Sequence, residues 1–203
     1  MNLKAFKMDG LGNDFVIFDN RKKANHLDKN QIIKVADRKF IGCDQLIFIN
    51  NSKDCDAELD FFNSDGGKSP VCGNGTRCVA YLISKEKNKK KITTKISGRI
   101  LKSKILENNI VETNIGKPKF NWDEIPLSKE INNENLGITI SDINGLTLTG
   151  GYALSVGNPH LIFFFLGKNR FHNFDLSKIG PELETHHLFP EKCNVTFAEI
   201  INK

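Results

Sequence analysis

A cysteine followed by small and polar residues stands just before a predicted helix in the segment PVCGNGTRC, residues 70–78. The apolar pattern predicts that this helix runs from about Thr76 to Lys87, so Cys72 precedes its first turn. Backbone N–H groups at a helix start are unpaired and carry partial positive charge. They predict a Cys72 thiol that ionises more easily than the reference pKa of about 8.5. Cys72 is therefore a candidate base.

The residues after Cys72 predict a place for an anionic ligand. Gly73 and Gly75 lack side chains and would let the backbone approach a ligand closely. The N–H groups of Gly73, Asn74 and Gly75 are suited to holding a carboxylate, as helix N-termini often hold anions. One loop would then bind an acid and reach its α-carbon. Two plainer interpretations stay open: a buried packing cysteine, and a Gly-Asn-Gly turn that only leads into a helix.

Inversion of an amino-acid α-carbon is a reaction that such a thiol suits. Without pyridoxal or a metal, the carbanion gains little help beyond hydrogen bonding and desolvation. One group must take the proton from one face, and another must return a proton on the opposite face. Sulfur serves both roles because it can be tuned to thiol or thiolate near neutral pH. The chemistry therefore calls for a second acid–base group.

The cysteine pattern and the net charge argue against several other functions. The cysteines are odd in number, without a CxxC pair, which favours neither disulfides nor a zinc site, and no metal is predicted. Cys78 is expected to pack in the core. A phosphate loop is disfavoured because GxxxxGK[ST] is absent. The net charge of +5 comes mostly from lysine, with only five arginines, so we predict no nucleic-acid partner.

No apolar run reaches the roughly 20 residues that span a bilayer, and the first residues lack the order of a signal peptide. The sequence thus predicts a cytoplasmic protein without a membrane partner.

The elements predict an α+β fold. Asp28 is a plausible N-cap, with Gln31 three residues on, for a helix that continues to Gly42. The second helix, residues 76–87, is apolar nearly all round and is expected inside a wrapped sheet. Strands are predicted at residues 3–7, 15–18, 45–50, 57–63, 92–97, 100–106, 110–115, 136–141, 146–155, 161–166 and 194–201.

Two halves are predicted, residues 1–117 and 118–203, with the boundary at the Gly-Lys-Pro of residues 116–118. The heptapeptide GNDFVIF at residues 12–18 is echoed by GNPHLIF at residues 157–163, 145 positions later. The halves are then copies of one unit, unless the short match is chance. At this spacing, the counterpart of Cys72 would fall at about position 217.

Five motifs together resemble the diaminopimelate epimerase family: GLGNDFV, NSDG, CGNGTRC, GNPH and LFPEKCNV. The order and spacing also fit, over nearly all 203 residues. The resemblance implies two similar lobes, each a curled, mostly antiparallel sheet wrapped around a central helix, with substrate in the cleft between them. It also implies a homodimer without a cofactor that interconverts LL- and meso-2,6-diaminopimelate in lysine and peptidoglycan-precursor synthesis.

The resemblance also assigns roles to residues. Cys72 matches the first catalytic cysteine, and His160 matches a position that tunes the catalytic thiols. The positions that match substrate-binding residues are Asn13, Gln45, Asn63, Gly73, Asn74, Asn158 and Asn194. Amide groups suit a zwitterionic diamino acid because they both donate and accept hydrogen bonds. Without the resemblance, the asparagines would be read as turn or strand-end caps.

The sequence departs from the family at its end. The family has a Glu-Arg pair and a second cysteine loop after the strand that matches residues 194–201, whereas this sequence stops at Lys203. We therefore expect an incomplete second lobe with exposed core and little or no epimerase turnover; Cys193 is not expected to substitute. A fragment is favoured over a short protein with altered function. A related racemase and an amino-acid-binding remnant remain alternatives.

Overall fold

The structure, a computed structural model, describes residues 3–69, 71–141, 145–167 and 171–201, so Pro70 of the predicted loop lies outside the described residues. The chain divides into two compact units, Met1–Gly116 (unit 1) and Lys117–Lys203 (unit 2). Each unit has its own buried apolar core. Among the described residues, none of the helices combines the length and the apolar character that a bilayer crossing needs.

Unit 1 is built on one curled, mixed sheet. Its eight described strands are β1 (Phe6–Gly10), β2 (Asn13–Asp19), β3 (Gln45–Asn50), β4 (Ala57–Asn63), β5 (Lys68–Ser69), β6 (Lys91–Ile96), β7 (Arg99–Ile105) and β8 (Val111–Asn114). They follow the order β1-β2-β3-β4-β6-β7-β8, and β5 pairs with β4. Among these pairs, β2–β3 and β4–β6 are parallel and the other five are antiparallel. The predicted α+β class with a mostly antiparallel sheet is confirmed.

Helix α2 (Gly73–Lys87) packs against this sheet as its central helix. Val79, Ala80 and Ile83 are fully buried against side chains from β2, β3, β4, β6 and β7. Removing this apolar surface from water stabilises the unit by about 25 cal/mol per Å². The expectation of a helix covered by a wrapped sheet is confirmed. The helix begins three residues before the predicted start because Cys72 itself is the N-cap.

Helix α1 (Lys29–Ala36) lies on the other face of the sheet, where Ile32 and Ala36 join the core formed with β2 and β3. The predicted capping box is confirmed: Asp28 accepts from the Gln31 N–H, and the Gln31 side chain accepts from the Asp28 N–H. The helix does not continue to Gly42 as predicted. Its C-cap, Asp37, adopts an extended conformation, which ends the helical hydrogen bonding.

Among its described residues, unit 2 holds two smaller sheets and one α-helix. Its elements are β9 (Ile138–Ser141), β10 (Thr147–Gly150), β11 (Tyr152–Ser155), β12 (Pro159–Leu166), α3 (Leu176–Glu184) and β13 (Asn194–Ile200). Strands β9 and β10 form one sheet, and β11, β12 and β13 form the other. The single strand predicted for residues 146–155 is wrong. Gly150 and Gly151, at φ 120° and 96°, break it into β10 and β11, which belong to different sheets.

The two units share a topology. In unit 1, the β1–β2 hairpin is followed by α1 and then by β3, which pairs parallel to β2. In unit 2, the β11–β12 hairpin is followed by α3 and then by β13, which pairs parallel to β12. This correspondence supports the repeat seen in the sequence. Helix α3 is thus the counterpart of α1, and no counterpart of α2 lies among the described residues of unit 2.

Candidate functional site

Three of the predicted binding residues lie at one edge of the unit 1 sheet. Asn13 begins β2, Gln45 begins β3 and Asn63 ends β4. Strands β2 and β3 are parallel and β4 is antiparallel to β3, so these ends meet at the same edge. The register pairs Gln45 directly with Asn63. The fold therefore gathers three amide side chains that are far apart in the sequence.

Cys72 joins this edge from the start of α2. As the N-cap, it accepts a hydrogen bond from the Gly75 N–H, with 3.5 Å between nitrogen and Sγ. The Cys72 carbonyl accepts from both the N–H and the hydroxyl of Thr76. The Sγ atom in turn lies 3.5 Å from Oδ1 of Asn13, to which the thiol donates. The start of the central helix and the start of β2 are thus connected through one thiol.

The Cys72 thiol is harder to ionise than predicted. Burial raises its pKa above the ordinary value, although the N–H groups of Gly75 and Asn74 and the charge of Arg77 act in the opposite direction. The sequence argument weighed the helix start but not the depth at which the thiol lies. Its prediction of easier ionisation is wrong, and the thiol form prevails near neutral pH.

The two glycines after Cys72 differ in what they allow. A Cβ atom on Gly75 would lie 2.6 Å from Cε1 of Phe61 and 2.8 Å from Cδ1 of Ile47. Gly75 is therefore required by close packing of α2 on the sheet, rather than by ligand approach as expected. A Cβ atom on Gly73 would meet its nearest neighbour, Arg77 Nη1, at 3.7 Å. Only Gly73 keeps the predicted freedom to face a ligand.

Asn74, the remaining member of the predicted loop, contributes to the site through its backbone. Its side-chain oxygen accepts a hydrogen bond from Arg77, one turn further along α2. Its N–H acts on the Cys72 sulfur and lowers the thiol pKa. The first turn of α2 thus presents backbone donors, while the Asn74 side chain is held within the helix.

Gln45 has an incomplete set of hydrogen bonds. Its Nε2 donates to Asn63 Oδ1 at 2.9 Å and to Ser69 Oγ at 3.0 Å. Its Oε1 is buried and has no partner among the described residues. A buried unpaired acceptor costs about 1–3 kcal/mol, so this oxygen favours a ligand that brings an N–H group. Ser69 was missed in the sequence because only the β4–β5 pairing brings it to Gln45.

A second missed residue, Asp44, precedes β3 and lies beside Asn13. Its Oδ2 accepts from Asn13 Nδ2 at 2.8 Å and from the Asp14 N–H at 3.0 Å. Arg38 donates to both aspartates, at 2.6 Å to Asp44 and at 2.6 and 2.9 Å to Asp14. These bonds hold the pKa of the Asp14 carboxyl well below its usual range. Adjacency to Gln45 was the only available sequence signal for Asp44.

The predicted residues of unit 2 occupy positions equivalent to those of unit 1. His160 pairs with Asn194 across β12 and β13, as Phe15 pairs with Gln45 across β2 and β3. His160 Nε2 lies 3.2 Å from Asn158 Oδ1, and Asn194 Nδ2 donates to the Pro159 carbonyl at 3.3 Å. Burial lowers the pKa of the His160 imidazole, which favours its neutral form. The fold therefore brings Asn158, His160 and Asn194 to one end of the parallel pair.

Two other cysteines are packing residues. Cys78 is 5% exposed in the core around α2, as expected, and Cys193 is 7% exposed in the unit 2 core. Burial raises the pKa of Cys78 to about 11 and that of Cys193 to about 12. Neither thiol is poised for proton transfer near neutral pH. Across the described ranges, no cluster of three or more His, Cys, Asp and Glu side chains is arranged to hold a metal ion.

Known proteins match the chain in sequence and in fold. The family model described as diaminopimelate epimerase matches residues 5–121. The diaminopimelate epimerase of Pelagibacter ubique (strain HTCC1062) is 60% identical over 203 residues, covering 100% of this chain and 73% of that protein. That of Wolbachia sp. subsp. Drosophila simulans (strain wRi) is 39% identical over 195 residues, covering 96% and 70%.

Solved structures agree in fold alone. A probable proline racemase from Agrobacterium radiobacter K84 gives a TM-score of 0.54 at 9% identity, covering 91% of this chain and 56% of that one. A putative phenazine biosynthesis PhzC/PhzF protein from Clostridium difficile (strain 630) gives 0.52 at 18% identity, covering 90% and 66%. A helix-start thiol beside strand-end amides, together with this sequence identity across the whole chain, leads to one conclusion: the chain belongs to the diaminopimelate epimerase family of isomerases.

Proposed function

We propose that this protein interconverts LL- and meso-2,6-diaminopimelate without a cofactor, and that Cys72 is one of two groups exchanging a proton with the substrate α-carbon. The observation that carries the proposal is the position of Cys72 Sγ, at the N-cap of α2 and 3.5 Å from Oδ1 of Asn13. The segment that begins at Cys72 would then supply both the acid for the substrate α-carbon and the N–H donors for the substrate carboxylate.

Cys72 begins the reaction as an acid in this proposal. Burial keeps the sulfur protonated, and the proton passes from sulfur to the α-carbon as a second group removes the α-hydrogen from the opposite face. The thiolate left behind is stabilised by the N–H groups of Gly75 and Asn74. The reverse direction uses the same groups, with the Cys72 thiolate as the base. The N-terminus of α2, including the Gly73 N–H, stabilises the substrate carboxylate.

The amide side chains hold the substrate. Gln45 Oε1 is a buried acceptor without a partner in the described structure, and it suits an ammonium group. Asn63 fixes the Gln45 amide so that this oxygen stays available. In unit 2 we assign substrate binding to Asn158 and Asn194 through their family matches. Amide groups that bind both amino and carboxyl groups reject analogues that lack either one.

Further properties are proposed from family membership. His160, whose neutral form is favoured by burial, is assigned a role in tuning the thiol chemistry. The protein is proposed to act in the cytoplasm as a homodimer, in lysine and peptidoglycan-precursor synthesis. The two halves of the chain are proposed to be the two lobes of the family fold.

Exchange of the substrate α-hydrogen with solvent tests the proposed function against the expectation, from the sequence, of little or no turnover. In deuterated water, LL-diaminopimelate should gain deuterium at one α-carbon as meso product forms, and mass spectrometry and chiral chromatography measure both. We expect Cys72→Ala to lower the exchange rate by about 10³-fold or more, because a buried acid–base group is lost. Cys55→Ser, which alters another partly exposed cysteine, is the matched control and should retain the rate.

Other outcomes point to other functions. Exchange that survives Cys72→Ala would contradict the role of this thiol. Exchange with another amino acid but not with diaminopimelate would favour a related racemase. Diaminopimelate binding without exchange by the unaltered chain would favour an amino-acid-binding protein and overturn the proposed activity.

A further inference from the structure

Asp44 lies outside the predicted set of site residues, yet it is linked to the candidate catalytic thiol through one side chain. Its Oδ2 accepts from Asn13 Nδ2 at 2.8 Å. The other end of the Asn13 amide, Oδ1, accepts from the Cys72 thiol at a separation of 3.5 Å. A continuous path of two hydrogen bonds therefore runs from the Asp44 carboxylate to the Cys72 sulfur.

The carboxylate determines which way the Asn13 amide faces. An ionised carboxylate only accepts hydrogen bonds, so the Asn13 NH₂ group, and not its oxygen, must face Asp44. The Asn13 oxygen is then directed to Cys72, where it accepts the thiol hydrogen. Arg38 donates to the other oxygen of the same carboxylate, Asp44 Oδ1, at 2.6 Å, and this charge-assisted bond holds the Asp44 side chain in place.

Comparison with unit 2 shows that this arrangement is particular to the unit that carries Cys72. The residue before Asn194 is Cys193, at the position equivalent to Asp44 before Gln45. Cys193 is buried and its Sγ faces the Leu183 carbonyl. Asn158, the equivalent of Asn13, meets His160 instead of a carboxylate. Both units thus have the paired strands and the asparagine, but only unit 1 has a carboxylate that orients the asparagine amide.

We propose that Asp44 is a positioning residue that fixes the Asn13 amide, so that the Asn13 oxygen holds the Cys72 thiol and its hydrogen in place for transfer. The proposal rests on the proposed role of Cys72 as a proton carrier. Asp44 does not touch the substrate; it acts through Asn13.

A purely structural role for Asp44 must be separated from this one. Asp44 and Asp14 exchange backbone-to-carboxylate hydrogen bonds at 2.9 and 3.0 Å, which tie the start of β3 to the start of β2. Asp14 shares Arg38 with Asp44, but its carboxylate has no bond to Asn13. Asp14→Ala therefore removes a comparable part of the ion-pair cluster formed by Arg38, Asp14 and Asp44, and it leaves the Asp44–Asn13 bond intact. It is the matched control.

Alkylation of Cys72 by iodoacetamide provides the test, in the full chain carrying Cys55→Ser so that the half-buried Cys55 does not compete. The alkylation rate is measured as a function of pH, and the midpoint of the resulting curve gives the apparent pKa of the Cys72 thiol. Two charged groups act on the Cys72 pKa: Arg77 lowers it and Asp44 raises it. Asp44→Ala and Asn13→Ala should each lower the midpoint by roughly half a pH unit, because the acceptor that holds the thiol hydrogen is lost or released. Asp14→Ala should leave the midpoint near that of the parent chain.

A double variant, Asp44→Ala with Asn13→Ala, distinguishes an effect that passes through Asn13 from a direct electrostatic effect of the Asp44 charge on Cys72. If Asp44 acts mainly through Asn13, then Asp44→Ala should lower the midpoint much less once Asn13 is alanine than it does in the parent chain. An equal shift in that background, or the same shift from Asp14→Ala, would overturn the proposal. Should Asp44→Ala fail to fold, the Asn13 side-chain NH₂ in the parent chain gives a second measurement: slow exchange with solvent supports the bond, and exchange at the rate of an exposed asparagine overturns it.

Failure of the proposed function would look different. If the parent chain exchanges no α-hydrogen of diaminopimelate, the activity proposal fails, while the alkylation midpoints still test the coupling of Asp44 to Cys72. If exchange occurs, Asp44→Ala should lower kcat by about tenfold with a smaller change in KM, since the Gln45 and Asn63 amides proposed to hold the substrate keep their hydrogen bond.

Discussion

At the scale of single residues, Cys72 shows how burial and a helix start compete. The N–H groups of α2 favour the thiolate, but loss of solvent around the sulfur outweighs them. A thiol that stays protonated at rest is useful to an enzyme that must donate a proton to carbon. The same N–H groups then stabilise the thiolate once the proton has left.

The two glycines beside Cys72 should respond differently to alanine. A methyl group at position 75 would overlap Phe61 and Ile47, so Gly75→Ala should lower the free energy of unfolding by about 1–3 kcal/mol. At position 73 the methyl group has room and the backbone is helical, so Gly73→Ala should keep the stability or raise it by up to about 1 kcal/mol. Denaturant unfolding measures both. Equal losses of stability would contradict the packing argument.

Candidate site residues could be picked out from the sequence only where a motif contained them. Cys72 and the strand-end amides are found through such motifs, and the fold brings Asn13, Gln45 and Asn63 to one edge. Asp44 and Ser69 were missed because the strand pairing brings each to a partner far away in the sequence: Asn13 lies 31 positions from Asp44, and Gln45 lies 24 positions from Ser69. Short-range patterns contain no information of that kind.

At the scale of elements, strands were predicted well where apolar residues run or alternate without interruption. Strands β3 and β4 have the predicted bounds, because a buried run and a strict alternation leave little freedom. Helix starts were harder. Glycines and asparagine disfavour a helix interior, so residues 73–75 were expected to be loop. The cap bond from Gly75 to Cys72 nevertheless extends α2 through them.

The C-terminus of α2 offers a test of local backbone strain. Asn88 is the C-cap and adopts the left-handed conformation, with φ 49° and ψ 47°. Glycine adopts this conformation freely, asparagine tolerates it, and alanine is disfavoured there. We expect Asn88→Ala to lower the free energy of unfolding by about 1 kcal/mol, and Asn88→Gly to keep or slightly raise it. Thermal melts of the two variants provide the measurement, and a more stable alanine variant would refute the cap assignment.

At the scale of the whole chain, the repeated topology exposes a contrast between the two units. In unit 1 both faces of β2 are covered, by α1 on one side and α2 on the other. In unit 2 one face of the β11–β12–β13 sheet packs on the core with α3. The opposite face presents Tyr152, Phe164 and Ile200, which are 44%, 47% and 39% exposed. An exposed apolar patch of this kind favours association with other apolar surfaces in water.

Adjacent phenylalanines on β12 test this contrast. Phe163 is 2% exposed and stacks on Phe197, so Phe163→Ala should cost about 3–5 kcal/mol of unfolding free energy. Phe164 is 47% exposed, so Phe164→Ala should cost roughly 1 kcal/mol or less. The second variant should also bind less of a fluorescent hydrophobic dye. A larger loss of stability at Phe164 than at Phe163 would reverse the assignment of the two faces.

The sheet edge that gathers the strand-end amides also determines when the site can form during folding. The β1–β2 hairpin closes through a two-residue turn, whereas the parallel β2–β3 pair must wait for the intervening α1 segment. Cys72 meets Asn13 across 59 positions of sequence, so this contact belongs among the slow, non-local ones. In a newly made chain the Cys72 sulfur is therefore open to solvent, and to oxidants, until this non-local contact forms.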